Sequence, residues 1–149
     1  MKAIILSGAL AACAGGVAAQ DIPMKTQGAI AWACGGAGVE ERAALAALRP
    51  QANLELLFVT AKRGGYLADV AVSVYAEGKP VLQVTAEGPM CELAAPAARY
   101  RIEAVYGGVK RSQEVTAGAK IARVVFGFPE EPWDGIKASD EEKQQSRAQ

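Results

Sequence analysis

Histidine is absent from this 149-residue chain. That absence excludes Ser-His-Asp and Cys-His nucleophilic systems, removes the commonest general base near neutral pH and leaves zinc without its usual nitrogen ligand. Cysteine is scarce, with three residues and no Cys-x-x-Cys pair, so no dithiol redox motif and no structural zinc set is spelled out. No Asp-x-Asp-x-Asp run supplies the oxygen ligands of a calcium loop. Neither charge sign is in excess: sixteen Lys and Arg balance sixteen Asp and Glu. These charges are interleaved along the chain, which is not the basic face that nucleic-acid binding by counterion release requires. Beyond Ala19 no apolar run approaches the ~18 residues of a membrane-spanning helix.

What is present begins with residues 1–19, which read as an export signal. Lys2 is a short positive n-region, Ala3 to Ala12 an apolar h-region interrupted only by Ser7, and Val17-Ala18-Ala19 a small-residue cleavage site before Gln20. The expected location is therefore periplasmic or secreted. Leu10-Ala11-Ala12-Cys13 also fits a bacterial lipobox, so a lipid anchor at Cys13 is the alternative to cleavage after Ala19. Removing Lys2 with the signal leaves fifteen basic against sixteen acidic side chains, a net charge of −1. Cleavage also removes Cys13 and leaves Cys34 and Cys91, an even pair that an oxidising compartment would join as one structural disulfide.

The remaining ~130 residues suffice for one domain with one modest core. Residues 20–38, polar and then Gly-rich, read as an extended arm with Trp32 and Cys34 as anchors. Residues 39–49 read as a short alanine-rich helix, with Glu40 and Glu41 in its first turn and Arg49-Pro50 at its end, packing against a sheet. From Pro50 the hydrophobic period changes to two. Leu54–Thr60, Val70–Tyr75, Val81–Thr85, Met90–Leu93, Tyr100–Tyr106, Val109–Thr116 and Ile121–Phe126 read as strands separated by turn signals, Gly107-Gly108 among them. The fold expected is mainly β: a seven-stranded, Ig-like β-sandwich over residues 50–128 with one short N-terminal helix. Residues 129–149 carry six acids and little apolar surface beyond Trp133 and Ile136, and read as a disordered acidic tail.

The stretch Tyr66-Leu67-Ala68-Asp69-Val70-Ala71-Val72-Ser73-Val74, then Gly78, Thr85-Ala86-Glu87-Gly88-Pro89, Leu93, Ala98-Arg99-Tyr100-Arg101-Ile102-Glu103-Ala104 and Gly107, resembles the carboxypeptidase regulatory-like domain. The resemblance covers about half of the chain, roughly Leu54 to Phe128, and departs at Ala98-Arg99, where the family carries a glycine before its corner tyrosine. It implies a prealbumin-like (transthyretin-like) sandwich of seven strands. Transthyretin-like urate-pathway hydrolases share that fold but rely on histidines this chain lacks. The arm, the helix and the Cys34/Cys91 pair are additions that resemble a subgroup of small exported proteobacterial proteins.

The carboxylate pairs Glu40-Glu41, Glu130-Glu131 and Glu141-Glu142 are sequence neighbours. Neighbours diverge by ~100° on a helix and point to opposite faces of a strand, so they read as solvated surface and not as acid/base pairs. Gly35-Gly36-Ala37-Gly38 lacks the preceding strand and following Lys-Ser/Thr of a phosphate cradle. Tyr66, Tyr75, Tyr100 and Tyr106 read first as sandwich aromatics, with Tyr100 a corner tyrosine whose hydroxyl ties back to the backbone. Lys62, Arg63, Gly64, Gly65 and Tyr66 form a basic, aromatic turn and the candidate interaction loop. No catalytic, cofactor or metal site is expected. The expected function is that of a non-enzymatic, exported, disulfide-stapled β-sandwich serving as a binding or structural accessory module for another envelope protein. The alternative is a periplasmic inhibitor or chaperone-like factor for an exported enzyme.

Overall fold

A computed structural model describes residues 21–130. The export signal with Cys13 and the acidic tail beyond Glu130 lie outside the described residues. Alternation of apolar and polar side chains places most of the strands. In Val70–Ala76, Val70, Val72 and Val74 are buried while Ala71 is exposed and Ser73 half-buried; in Ala98–Tyr106, Tyr100, Ile102 and Ala104 are buried while Arg99 and Arg101 face solvent. Each such strand lends one face to a shared core.

Nine strands occur among the described residues: β1 Lys25–Gln27, β2 Ile30–Gly35, β3 Leu54–Thr60, β4 Val70–Ala76, β5 Lys79–Ala86, β6 Met90–Ala94, β7 Ala98–Tyr106, β8 Val109–Ala117 and β9 Ala122–Phe128, with one helix, α1, at Val39–Leu48. They form a five-stranded sheet in the order β1-β2-β6-β3-β9 and a four-stranded sheet in the order β5-β4-β7-β8. This is a two-sheet β-sandwich with one short helix. The count corrects the expected seven strands: the two extra ones, β1 and β2, come from the stretch read as an arm. That stretch is a hairpin of the sheet, and β2 pairs with β1 on one side and β6 on the other. On β2 the residues Ile30, Trp32 and Cys34 alternate with Ala31, Ala33 and Gly35. Both sets are apolar or small, so the polarity contrast that marks a strand is missing.

β3 and β9 are parallel, from Leu54 opposite Ala122 to Thr60 opposite Phe128. A parallel pair needs a long crossover, and here the crossover is the whole four-stranded sheet with β6. The core between the sheets is filled by Leu54, Leu56, Phe58, Leu82, Leu93, Ile102 and Phe126, with the rings of Phe58 and Phe126 stacked at 5.8 Å. Tight hairpins join β4 to β5 through Glu77-Gly78 and β7 to β8 through Gly107-Gly108, all four residues at positive φ. Two consecutive positive φ values give the turn whose twist matches the strands.

Three local devices lock the sandwich. Tyr100 donates its hydroxyl to the Pro96 carbonyl at 2.7 Å, the corner expected from the sequence. The Asn53 side chain donates to Ala95 O at 2.7 Å and accepts Ala95 N–H at 3.0 Å, while its own backbone bonds Leu93 and Ala122. It thereby ties together the ends of β3, β6 and β9. Gly88 lets the β5–β6 connection pass over the end of β2, since a Cβ there would lie 2.2 Å from the Gly35 carbonyl oxygen.

α1 has alanine-rich helix propensity and acids in its first turn, where the helix dipole favours negative charge. Pro50 ends it through a 3-10 turn at Arg49–Gln51. The helix lies over β2 and β6 on the outer face of the five-stranded sheet, with Leu45 fully buried at the contact. On β3 the residues Leu54 to Phe58 are all buried, with Leu54, Leu56 and Phe58 in the core and Glu55 on the outer face 3.4 Å from Arg49 of the turn after α1.

Cys34 and Cys91 are bonded to each other across β2 and β6, where they are register partners. The bridge closes a separation of 57 residues, which in the chain-entropy model removes about 4 kcal/mol of denatured-state freedom. A Cys34→Ala/Cys91→Ala double variant is expected to lose about 4 kcal/mol of unfolding free energy. Urea titration of both forms measures the difference.

Candidate functional site

The five residues of the candidate loop follow β3, and all five are exposed. Tyr66 keeps 55% of its surface in solvent. Exposure is combined with bracing. At the neck, Thr60 Oγ1 accepts the Gly65 N–H at 2.9 Å, Thr60 N–H donates to Gly65 O at 2.9 Å, and Gly64 N–H donates to Thr60 O at 3.0 Å. Gly64 takes a positive φ of 65°, open to glycine at little cost. Tyr66 forms a bridge with Val59, and the buried Leu67 anchors the chain just beyond it.

Two residues from elsewhere complete the frame. Arg42 of α1 sits 5.8 Å from the Tyr66 ring centroid and donates to Gly36 O at 3.1 Å. Glu130, just past β9, accepts the Arg63 backbone N–H at 2.6 Å and pairs with its guanidinium at 3.1 Å. The loop thus presents cationic groups and an aromatic ring from a held backbone. An exposed surface ordered before binding loses less entropy on contact. Its composition was legible in the sequence; its braces, from α1 and the end of β9, were not.

The second cluster escaped the sequence reading. Glu55 on β3 and Glu92 on β6 are register partners on the outer sheet face, 5% and 2% exposed. The signal was there: each is a lone acid in a short apolar strand, Leu54-Glu55-Leu56-Leu57 and Cys91-Glu92-Leu93. Arg49, just past α1, places Nε 3.4 Å from Glu55 and 3.6 Å from Glu92, and Arg123 on β9 places Nε 3.4 Å from Glu55. Glu55 Oε1 and Glu92 Oε2 are buried without a hydrogen-bond partner. Burial, and then the charge of Glu55, push the Glu92 carboxyl up to about 7 against the pull of Arg49 and Arg123.

The carboxylates read as solvated surface fare differently. The glycine segment does follow a strand, β2, which corrects the expectation that none precedes it; Glu41 accepts the Gly36 N–H at 2.9 Å and the Ala37 N–H at 3.4 Å, so the segment spends these amides on its own helix. Glu130 braces the loop, and Glu131, Glu141 and Glu142 lie outside the described residues.

A cavity of about 550 Å³ opens between β5 and the β1–β2 turn, with Ile30, Leu82, Pro96 and Tyr100 among its walls. At its rim Gln27 Oε1 accepts the Gln83 N–H at 3.0 Å, so a side chain from one sheet caps an edge amide of the other. Such capping blunts edge pairing. Among the described residues no group of three or more Cys, Asp or Glu is placed to hold a metal ion, and no helix is long and apolar enough to cross a membrane.

Arg49 is half-exposed, yet it is the guanidinium both buried carboxylates share. Removing one partner of a buried ion pair leaves its charge uncompensated, so Arg49→Met should cost about 2 kcal/mol at neutral pH, below the full buried-pair figure because of that exposure. Denaturant unfolding of the variant and the parent checks it. No family model matches this chain, and no curated protein matches it either.

Proposed function

We propose that the protein is a non-enzymatic, exported binding or structural accessory module, acting on another envelope protein through the loop Lys62, Arg63, Gly64, Gly65 and Tyr66. The observation that carries this reading is the pairing of exposure with bracing at the loop: Tyr66 is open to solvent while Arg42, Glu130 and Thr60 hold its surroundings in place. Aromatic and arginine side chains on a held frame are the residue types on which binding energy concentrates at interfaces.

Export with cleavage after Ala19 is supported by the signal pattern of residues 1–19 and by the Cys34–Cys91 bridge, a bond that persists in oxidising compartments. Membership of the carboxypeptidase regulatory-like, prealbumin-like group is proposed on the sequence resemblance between Leu54 and Phe128. A narrower reading, a periplasmic inhibitor or chaperone-like factor for an exported enzyme, is favoured by the exposure of Gly64, Gly65 and Tyr66 at the loop tip.

Affinity capture from an envelope extract, run in parallel with the mature protein and a Lys62→Ala/Arg63→Ala/Tyr66→Ala variant, tests the assignment. The expected result is one dominant partner retained by the parent and reduced at least tenfold with the variant, the loss of about 1.4 kcal/mol or more. Equal retention would remove the loop from the interface, and a hydrolase as the dominant partner would select the inhibitor reading. Intact-mass analysis of protein recovered from the envelope should give Gln20 as the first residue; an acylated Cys13 would make it a lipid-anchored protein instead.

A further inference from the structure

Two carboxyl groups facing each other across antiparallel strands are unfavourable even on a wet sheet surface. Glu55 and Glu92 do so under cover, nearly free of solvent contact. One oxygen of each has no hydrogen-bond donor, and the shared Arg49 stands at 3.4 and 3.6 Å, beyond a good charge-assisted hydrogen bond. Over Glu92 the cover comes from α1, which packs on β6, and from Arg49 in its terminal turn; over Glu55 it comes from Arg49 and Arg123. Lifting α1 and this turn would return Glu92 to water and carry Arg49 away with them.

The groups around Glu92 can be named element by element. β3 contributes Glu55, β9 contributes Arg123 and the turn after α1 contributes Arg49. β2 contributes its register partner Ala33, which does not titrate, and α1, the element packed on β6, buries Leu45, which does not titrate either. On α1 itself, Glu41 is held at the Gly36 and Ala37 amides, Arg42 at Gly36 O and Tyr66, and Glu40 is exposed.

We propose that Glu55, Glu92, Arg49 and Arg123 form a proton-operated latch, which holds α1 on the five-stranded sheet at mildly acidic pH and loosens it as the pH rises to neutrality. Covered, the Glu92 carboxyl keeps its proton up to about pH 7; in water it would lose it near its ordinary value of 4.5. The covered state therefore binds more protons between these two limits. By linkage, its advantage is complete below the ordinary value and is lost as the pH climbs to about 7. One proton moves from the Glu92 carboxyl O–H to water, and no other covalent bond changes. Because Arg42 lies on the same helix, the latch reaches the Tyr66 loop too. That consequence alone rests on the loop being a binding surface.

Amide hydrogen exchange of Ala43 to Leu48, corrected for intrinsic rates, tests the latch without any binding partner. Between pH 6 and pH 8 the opening equilibrium of these amides should rise about tenfold in the parent, as expected for a proton held with a pKa of about 7 when covered and 4.5 when open. It should be nearly flat in Glu92→Gln. On the unaltered protein, carboxyl-carbon NMR should show one glutamate titrating near neutrality. A flat profile in the parent, the same slope in the variant, or all glutamates titrating in the ordinary carboxylate range would overturn the proposal. So would equal loosening of the β4 amides, because that would mean opening of the whole sandwich. Loss of loop-dependent capture with the exchange result intact would overturn only the binding reading.

Discussion

A single antiparallel register sorts the side chains of β6 between two environments. With Cys91 opposite Cys34 on one neighbour and Leu56 on the other, Cys91 and Leu93 point into the core, and the intervening Glu92 points outward to meet Glu55. A slip of one residue would turn the cysteine out and drive the carboxylate between the sheets. The disulfide pins this register covalently on the β2 side, and the Asn53 side chain pins it on the β3 side through Ala95. Everything on the outer face, including the seat of α1 and the carboxylate pair, is placed by that register.

The two faces of the five-stranded sheet then follow different physics. The inner face is a dry core of leucine, phenylalanine and cysteine, stabilised by apolar burial. The outer face is half covered, with Leu45 of α1 over β2 and β6 and the exposed Val125 on β9. At the boundary between covered and open lie Glu55, Glu92, Arg49 and Arg123. A charge cluster at such a boundary sits where a small displacement changes its dielectric surroundings most, which is why the position of α1 and the protonation of Glu92 are coupled. The same helix supplies Arg42 to Tyr66, so the exposed loop and the buried acids share a mechanical element although no residue belongs to both.

Particular residues show which signals carry information. Val70, Val72 and Val74 against Ala71 and Ser73 announce a strand because polarity alternates with position. β2 alternates as regularly in space, but Ala31, Ala33 and Gly35 on its outer side are small, not polar, since the helix approaches them closely. A pattern that signals by polarity goes silent where both faces of a strand are covered. The candidate loop was visible as composition, a Lys-Arg-Gly-Gly-Tyr turn. Its bracing was invisible because Arg42 and Glu130 are distant in sequence, and contact between distant residues has no local signature.

Local chemistry determined the strand positions from β3 to β9, the glycine hairpins and the helix over residues 39–48, because backbone sterics, alternation and helix propensity act over a few residues and need no partner. The even cysteine pair made one bridge the economical outcome, and it is present. Only the tertiary structure decided that β1 and β2 belong to the sheet, that Glu55 and Glu92 face each other and that Arg49 lies between them. The cost of a carboxylate depends on what covers it, and cover is a property of packed elements that no stretch of sequence carries alone.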